Sequence, residues 1–414
     1  MSDPFSSGGF DPRMFEQVPL FRELAKVMSW SGGPINWDLA RQTAEAVVED
    51  RPVPSAAEDE LIDAMRVAEL WLDDASGLPS VDGPARAMTA REWVQAASSS
   101  EGLGTLVEPV ARGMADAMSD ALPEEMRQMM GGQPGAPSMS QAFGAITAMM
   151  YGVQVGTIAG NLGDQVLGCY DLGVPVIDTR TVGTVGDTLE RFADDYDFDR
   201  TELRYWLSLR EAAHRRIYAG VPWVTSHLTD LIGRFAAEAD LDPTRMMDAL
   251  GGMGFDPSDP EALQQALEQP DAFRVEPTTA QRAVLDRLQG LVALVEGYVG
   301  LVTESASGGK LGSLARIDEA MRRRRAEHGP GERFLAQLIG LDLKPADLRT
   351  GRSFCDAVVT ARGQAGLDRL WQHADHLPSP EELSDPSRWL VRMAAVELGV
   401  GEDSDDDGPQ PPTS

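Results

Sequence analysis

The sequence contains little cysteine, histidine or lysine. Its 414 residues include two cysteines, Cys169 and Cys355, which lie far apart and form no CxxC pair, so a disulfide framework is excluded. We therefore expect a reducing compartment, the cytoplasm. The first fifteen residues agree with this, because they lack the basic and apolar regions of a signal peptide. All but three of the basic residues are arginines, a bias that indicates a GC-rich genome, such as that of an actinobacterium.

Several classes of site are also missing. The chain has no GxGxxG motif after a strand, no P-loop, no GxSxG motif and no basic patch interleaved with aromatic residues. Its 36 basic residues are outnumbered by 66 acidic ones, giving a formal net charge of −30. So acidic a protein is repelled by phosphate backbones and by anionic lipid headgroups. We therefore expect neither a nucleic acid nor a membrane as a partner.

The stretch from Ser138 to Gly163 carries no charged residue and is long enough to span a bilayer. Gly152, Gly156 and Gly160 recur in it every four residues, which is a helix-packing pattern. The stretch is nevertheless rich in glycine, alanine and polar residues, whereas membrane-spanning helices are more apolar. We therefore predict a central helix of the folded protein, closely packed through its glycines.

Hydrophobic periodicity predicts a mainly α fold, with a small β-hairpin or strand element near residues 174–185, where β-branched residues cluster. Composition divides the chain into five parts. We expect a disordered N-terminus at 1–12, an N-terminal helical region at 13–122, a mobile linker or loop at 123–138, a helical core at 139–400, and a disordered acidic tail at 401–414. A basic cluster at 322–325 ends a predicted helix, where cations suit the helix dipole.

One helix carries a motif with known chemistry. Arg210 and His214 are four residues apart, so their side chains share a helix face, and Glu211 lies beside that face. This is the frame of HExxH, in which two histidines bind zinc and the glutamate is a general base for the metal-bound water. Arginine stands at the first histidine position. By itself, such an Arg/His pair is more often a solvated helix face.

The surrounding sequence resembles the zincin-like metallopeptidase type 2 family, which is found mainly in actinobacteria and their relatives. Separated blocks carry the resemblance in the right order: SWSGGPINWDLA at 29–40, QVLGCYDLGVP at 165–175, VPW at 221–223, LVALVEGYV at 291–299 and LDLKPADLRTG at 341–351. The resemblance implies a zincin-like multi-helix fold, descent from zinc-dependent peptidases and a hydrolase activity. It covers nearly the whole chain, which makes it more specific than the five-residue motif.

The resemblance also implies roles for individual residues. Glu211 would be the general base and His214 a zinc ligand, and Glu296 would be a ligand from a second helix. Glu296 lies within an apolar run, where an unpaired carboxylate is costly. Arg210 breaks the pattern, because a guanidinium stays protonated and has no lone pair for a metal. His227 is a further histidine nearby in sequence, and a surface or capping role is favoured for it.

The sequence leaves three functions open. The chain is a metallopeptidase relative impaired by Arg210, an active metal-dependent hydrolase with an altered ligand set, or a non-catalytic scaffold for a peptide or protein partner. Zinc is implied by the family, and Arg210 argues against it here. A sharper hypothesis is that Arg210 places a guanidinium where the metal would be and pairs with Glu211 or Glu296.

Overall fold

A computed structural model describes residues 33–49, 51–54, 56–121, 139–238, 278–326, 333, 335–336 and 340–398. The predicted disordered ends at 1–12 and 401–414 and the predicted linker at 123–138 lie outside the described residues. The domain boundaries drawn from them therefore stay predictions.

Helices dominate the described ranges, which confirms the prediction of a mainly α fold. In chain order they are α1 (Trp37–Val47), α2 (Ala57–Asp73), α3 (Ala90–Ala97), α4 (Gly104–Ala121), α5 (Met139–Gly163), α6 (Gly186–Tyr196), α7 (Arg200–Tyr218), α8 (Pro222–Ala237), α9 (Thr279–Ser307), α10 (Leu314–Ala326), α11 (Pro345–Asp368), α12 (Pro380–Ser384) and α13 (Pro386–Glu397). Two short 3₁₀ turns, Arg369–Trp371 and Ala374–His376, join α11 to α12.

The described residues form one small sheet, of strands β1 (Ala85–Met88) and β2 (Val182–Val185). The two strands run parallel, with Ala85 opposite Val182. Strand β2 therefore occupies the C-terminal end of the range 174–185 in which a strand was expected. It is not half of a hairpin, because its partner lies in the N-terminal part of the chain. Such long-range pairing leaves no local turn signal in the sequence.

The uncharged stretch forms α5, which packs against α1 through its glycines. A Cβ on Gly152 would lie 2.6 Å from the carbonyl oxygen of Asn36, and one on Gly156 would lie 2.3 Å from that of Ala40. Only glycine permits so close an approach of two helices. Of the helices within the described ranges, none is long and apolar enough to cross a membrane.

Helices α7 and α9 position the predicted site. Asp199 caps the start of α7 by accepting a hydrogen bond from the backbone N–H of Glu202. From Glu211 onward every residue of α7 is buried, although the sequence there is strongly polar. Helix α9 crosses α11 closely at Gly351, where a Cβ would lie 2.0 Å from the carbonyl oxygen of Ala293. Buried polar residues in a helical core require partners, and these partners form the site.

Candidate functional site

Glu296, near the middle of α9, is the centre of a buried ion cluster. Its Oε2 accepts hydrogen bonds from Nη2 of Arg210 at 2.7 Å and from Nη1 of Arg325 at 2.5 Å. Its Oε1 lies 2.9 Å from Nε2 of His214. We call these four residues the Glu296 cluster. Of the two partners considered for Arg210, the structure therefore gives Glu296.

His214 is fixed from both sides of its ring. Nδ1 lies 2.8 Å from the carbonyl oxygen of Arg210, and since a carbonyl only accepts, Nδ1 carries a proton. The ring stacks on Tyr170 with centroids 5.2 Å apart and planes 4° from parallel, and Tyr218 continues the stack. The orientation of the imidazole is therefore set by α7 itself and by two aromatic rings.

The charges of the cluster favour an ionised Glu296. Burial would raise the pKa of this carboxyl, but the guanidiniums of Arg325 and Arg210, together with His214, hold it well below its ordinary value. Burial lowers the pKa of His214, and this outweighs the raising effect of Glu296. Both ring nitrogens of His214 face acceptors, so the imidazole donates a hydrogen bond to Glu296 only in its protonated form, whereas the two guanidiniums are permanent counter-charges of the carboxylate. The cluster therefore carries its own counter-ions.

Glu211 is buried and is hydrogen-bonded to backbone N–H groups outside the Glu296 cluster. Its two carboxylate oxygens accept backbone N–H hydrogen bonds from Cys169 at 3.1 Å, Tyr170 at 2.9 Å and Gly183 at 3.2 Å. Burial raises the pKa of Glu211 to about 7, although these three amides act in the opposite direction. Glu211 thereby joins α7 to strand β2 and to the 168–170 segment.

Two glycines of the 165–175 block make room for the two glutamates. A Cβ on Gly168 would lie 2.6 Å from Oε1 of Glu211, and a Cβ on Gly173 would lie 2.8 Å from Oε1 of Glu296. Gly173 also has a φ of +74°, a conformation that favours glycine. The QVLGCYDLGVP block is thus the backbone that lies against both buried carboxylates.

The donor set does not fit a zinc ion. A catalytic zinc site takes three protein ligands and keeps one position open for water. Here both oxygens of Glu296 are engaged by side chains of the cluster, and Arg210 brings a cation to the first ligand position. In the part of the chain that is described, no group of three or more His, Cys, Asp and Glu residues could hold a metal ion. His227 does not complete a set, since it lines a different cleft with Asp286 and Arg287.

A cleft of about 710 Å³ opens beside the cluster and is lined by residues of α7, α9, α10 and α11. Arg210, Glu296 and Arg325 lie in its wall, and Trp206 lies next to Arg210, with its ring centroid 5.5 Å from the guanidinium carbon. Arg325 is not among the site residues that the sequence predicts. Its only signal there is the basic cluster at 322–325, which by itself indicates a helix-dipole feature.

The chain is similar to a known protein family and to a solved structure. The family model described as zincin-like metallopeptidase matches residues 35–390. Among solved structures, a crystal structure of a candidate hydrolase with a novel fold from Chloroflexus aurantiacus is similar, with 24% sequence identity and a TM-score of 0.58. The match covers 87% of this chain and 99% of that one, and at this identity it shows the fold alone. The search of curated proteins gives no match.

Proposed function

The chain belongs to the zincin-like metallopeptidase family, and we propose that it is a metal-free member that binds a ligand in its cleft without cleaving it. One observation carries the proposal. Glu296, the ligand that the family resemblance implies from a second helix, is bound by Arg210, Arg325 and His214 at 2.5–2.9 Å. A zinc ion would have to displace two guanidiniums before it reached this carboxylate.

Replacement of a cation by a guanidinium is physically reasonable at this position. A buried carboxylate needs a counter-charge, and an arginine supplies one together with directional N–H donors. Arg210 is positioned by its place on α7, one turn before His214, where HExxH has its first histidine. The same helix geometry that presents two histidines to a metal therefore presents this guanidinium to Glu296.

The surroundings of Glu211 support the loss of catalysis independently. A general base must lie within hydrogen-bond reach of the water that it activates. The carboxylate of Glu211 is buried and accepts three backbone N–H hydrogen bonds. We therefore assign Glu211 a structural role, in which it holds the 168–170 segment and β2 against α7.

The cleft beside the Glu296 cluster is the feature that supports a binding function. Its volume of about 710 Å³ lies in the range that encloses small organic ligands. The cleft lies beside Arg210 and Glu296. In a peptidase that bound its metal at these two positions, the substrate peptide would lie in the same place. A peptide or a peptide segment of a protein is therefore the partner that we propose.

Metal analysis tests the proposal. Protein purified without a histidine tag should contain far less than one zinc ion per chain and should not hydrolyse casein. Arg210→His should acquire some zinc, and Arg210→His combined with Arg325→Gln should acquire more, because it also frees Oε2 of Glu296. Arg200→His adds a histidine to the exposed start of α7 and should gain none. Near-stoichiometric zinc in the unaltered protein, lost on His214→Ala, would overturn the proposal.

A further inference from the structure

The lining of the cleft differs in charge from the rest of the chain. Six arginines contribute to it: Arg210, Arg322, Arg323, Arg325, Arg349 and Arg352. Five carboxylates do so as well: Glu296, Glu304, Asp318, Glu319 and Asp356. The lining therefore has a formal charge of +1, in a protein whose net charge is −30. An anion that approaches this protein meets less repulsion at the cleft than over an average part of its surface.

The carboxylates of the cleft already have partners. Glu319 pairs with Arg322 at 2.9 Å and with Arg323 at 2.8 Å. Arg352 bridges Glu304 at 2.5 Å and Asp356 at 3.0 Å. The two remaining carboxylates are also engaged, Glu296 in its cluster and Asp318 by the indole N–H of Trp206 at 2.8 Å. Asp318 keeps its negative charge, because the indole is neutral, whereas the charges of the other four carboxylates are offset by arginines of the same lining.

Two guanidiniums keep donors for a ligand. Arg349, on the second turn of α11, is exposed and has no hydrogen bond or ion pair with any described residue. Arg210 uses Nη2 for Glu296, while its Nε and Nη1 make no hydrogen bond within the described part of the chain. A guanidinium with free N–H groups binds a carboxylate in a planar, often bidentate pair.

The remaining lining is apolar and selects against a bare inorganic anion. Leu314, Met321, Leu343 and Leu348 contribute to the same walls as the arginines. The volume of about 710 Å³ also exceeds what one phosphate or sulfate ion would fill. A nucleic acid offers charge at every nucleotide and would meet the acidic surface beyond the cleft. A short peptide with acidic and apolar side chains matches both kinds of lining.

We propose that this cleft binds an acidic peptide, and that Arg349, with Arg210 deeper in the cleft, recognises its carboxylates. The inference rests on the proposed function, since it names the ligand of a cleft that binds without cleaving. Arg349 acts as a specificity residue: it touches the ligand and does not take part in the Glu296 cluster.

Fluorescence anisotropy with the full-length protein tests the inference. The probe is a fluorescein-labelled hexapeptide, Glu-Leu-Glu-Leu-Glu-Leu, and the control peptide has glutamine in place of glutamate. The glutamate peptide should bind at least about tenfold more tightly at low salt, because the control peptide cannot form charge-assisted pairs. Its advantage should shrink at about 0.5 M salt.

Two variants locate the binding. Arg349→Glu should weaken binding of the glutamate peptide by about tenfold or more, with an unchanged melting temperature. Arg66→Glu is the matched control, since Arg66 is 75% exposed on α2, lies outside the cleft and changes the net charge equally. It should alter the affinity by less than about twofold. Equal affinity for the two peptides, or equal loss in the two variants, would overturn the inference.

Zinc is measured on the same protein samples, so that the two proposals fail separately. Stoichiometric zinc overturns the metal-free function whatever the peptide does. A metal-free sample that shows no preference for the glutamate peptide overturns the acidic-peptide inference and leaves the metal-free assignment in place.

Discussion

Replacing Arg210 with alanine removes one of the three groups that bind the Glu296 carboxylate. The variant would lack both the 2.7 Å hydrogen bond to Glu296 and the cation–π interaction with Trp206. A hydrogen bond to a charged group contributes about 1.5–3 kcal/mol, and a cation–π interaction roughly 0.5–1 kcal/mol. Arg325 and His214 still bind Glu296, so its charge is not stranded. We therefore expect the free energy of unfolding to fall by about 2–4 kcal/mol, the sum of the two contributions, and by less than a fully unpaired buried charge would cost.

The structure also predicts the order in which variants of the Glu296 cluster lose stability. Glu296→Gln leaves the guanidiniums of Arg210 and Arg325 facing a neutral amide, and should cost about 3–5 kcal/mol, more than Arg210→Ala. Arg210→Ala combined with Arg325→Ala leaves Glu296 with His214 alone. This double variant should lose more stability than the sum of its single substitutions, by roughly 0.5–3 kcal/mol.

Urea unfolding followed by far-ultraviolet circular dichroism measures these differences. Arg200→Ala is the control on the same helix, because Arg200 makes only exposed ion pairs with Glu190 and Asp194 among the described residues. It should destabilise the protein less than Arg210→Ala does, because solvent screens exposed ion pairs. In thermal unfolding, Arg210→Ala should lower the midpoint by about 2–4 °C for a chain of this length. An Arg210→Ala protein that unfolds with the parent, or a Glu296→Gln protein more stable than Arg210→Ala, would refute the reasoning.

The two other predictions concern the backbone that packs on the glutamates. Burial raises the pKa of Glu211 from 4.5 to about 7, so the folded state holds this proton more tightly than the unfolded state. The stabilisation from the Glu211 proton is therefore complete below about pH 4.5 and is lost as the pH rises through 7, by up to about 3 kcal/mol. Urea midpoints at pH 5 and pH 8 should show this loss in the parent protein and not in Glu211→Gln. Equal losses in the two proteins would contradict the prediction. Gly173→Ala should lose about 2 kcal/mol or more in urea unfolding, because φ is +74° and the new Cβ would lie 2.8 Å from Glu296. Gly144→Ala, in open space on α5, should gain up to about 1 kcal/mol, and the same stability in both variants would count against the packing argument.

The sequence carries the information for part of this architecture. The glycine spacing in α5 predicts a closely packed helix, because the period of four is local to one helix. The pairing of Arg210 with Glu296 is one of two choices that the sequence offers, since a carboxylate in an apolar run demands a partner. Strand β1 is not predicted from the sequence, because its four residues show no clear alternation of apolar and polar side chains and its partner strand is distant in the chain. Arg325 is not predicted for a similar reason, because its contact with Glu296 depends on how α10 packs against α7 and α11.

The Glu296 cluster separates two roles that a zinc ion combines. In a peptidase, zinc holds its protein ligands together and activates a water molecule. Arg210 and Arg325 together carry the formal charge of +2 that a zinc ion carries, and both bind the same carboxylate. They can therefore satisfy a buried Glu296 and preserve the fold. They cannot coordinate or acidify a water molecule, since a guanidinium is itself a donor with no vacant coordination site. Under the proposed function, zinc binding would consequently need more than the missing histidine, because Arg325 would continue to occupy Oε2 of Glu296 after Arg210 had been replaced.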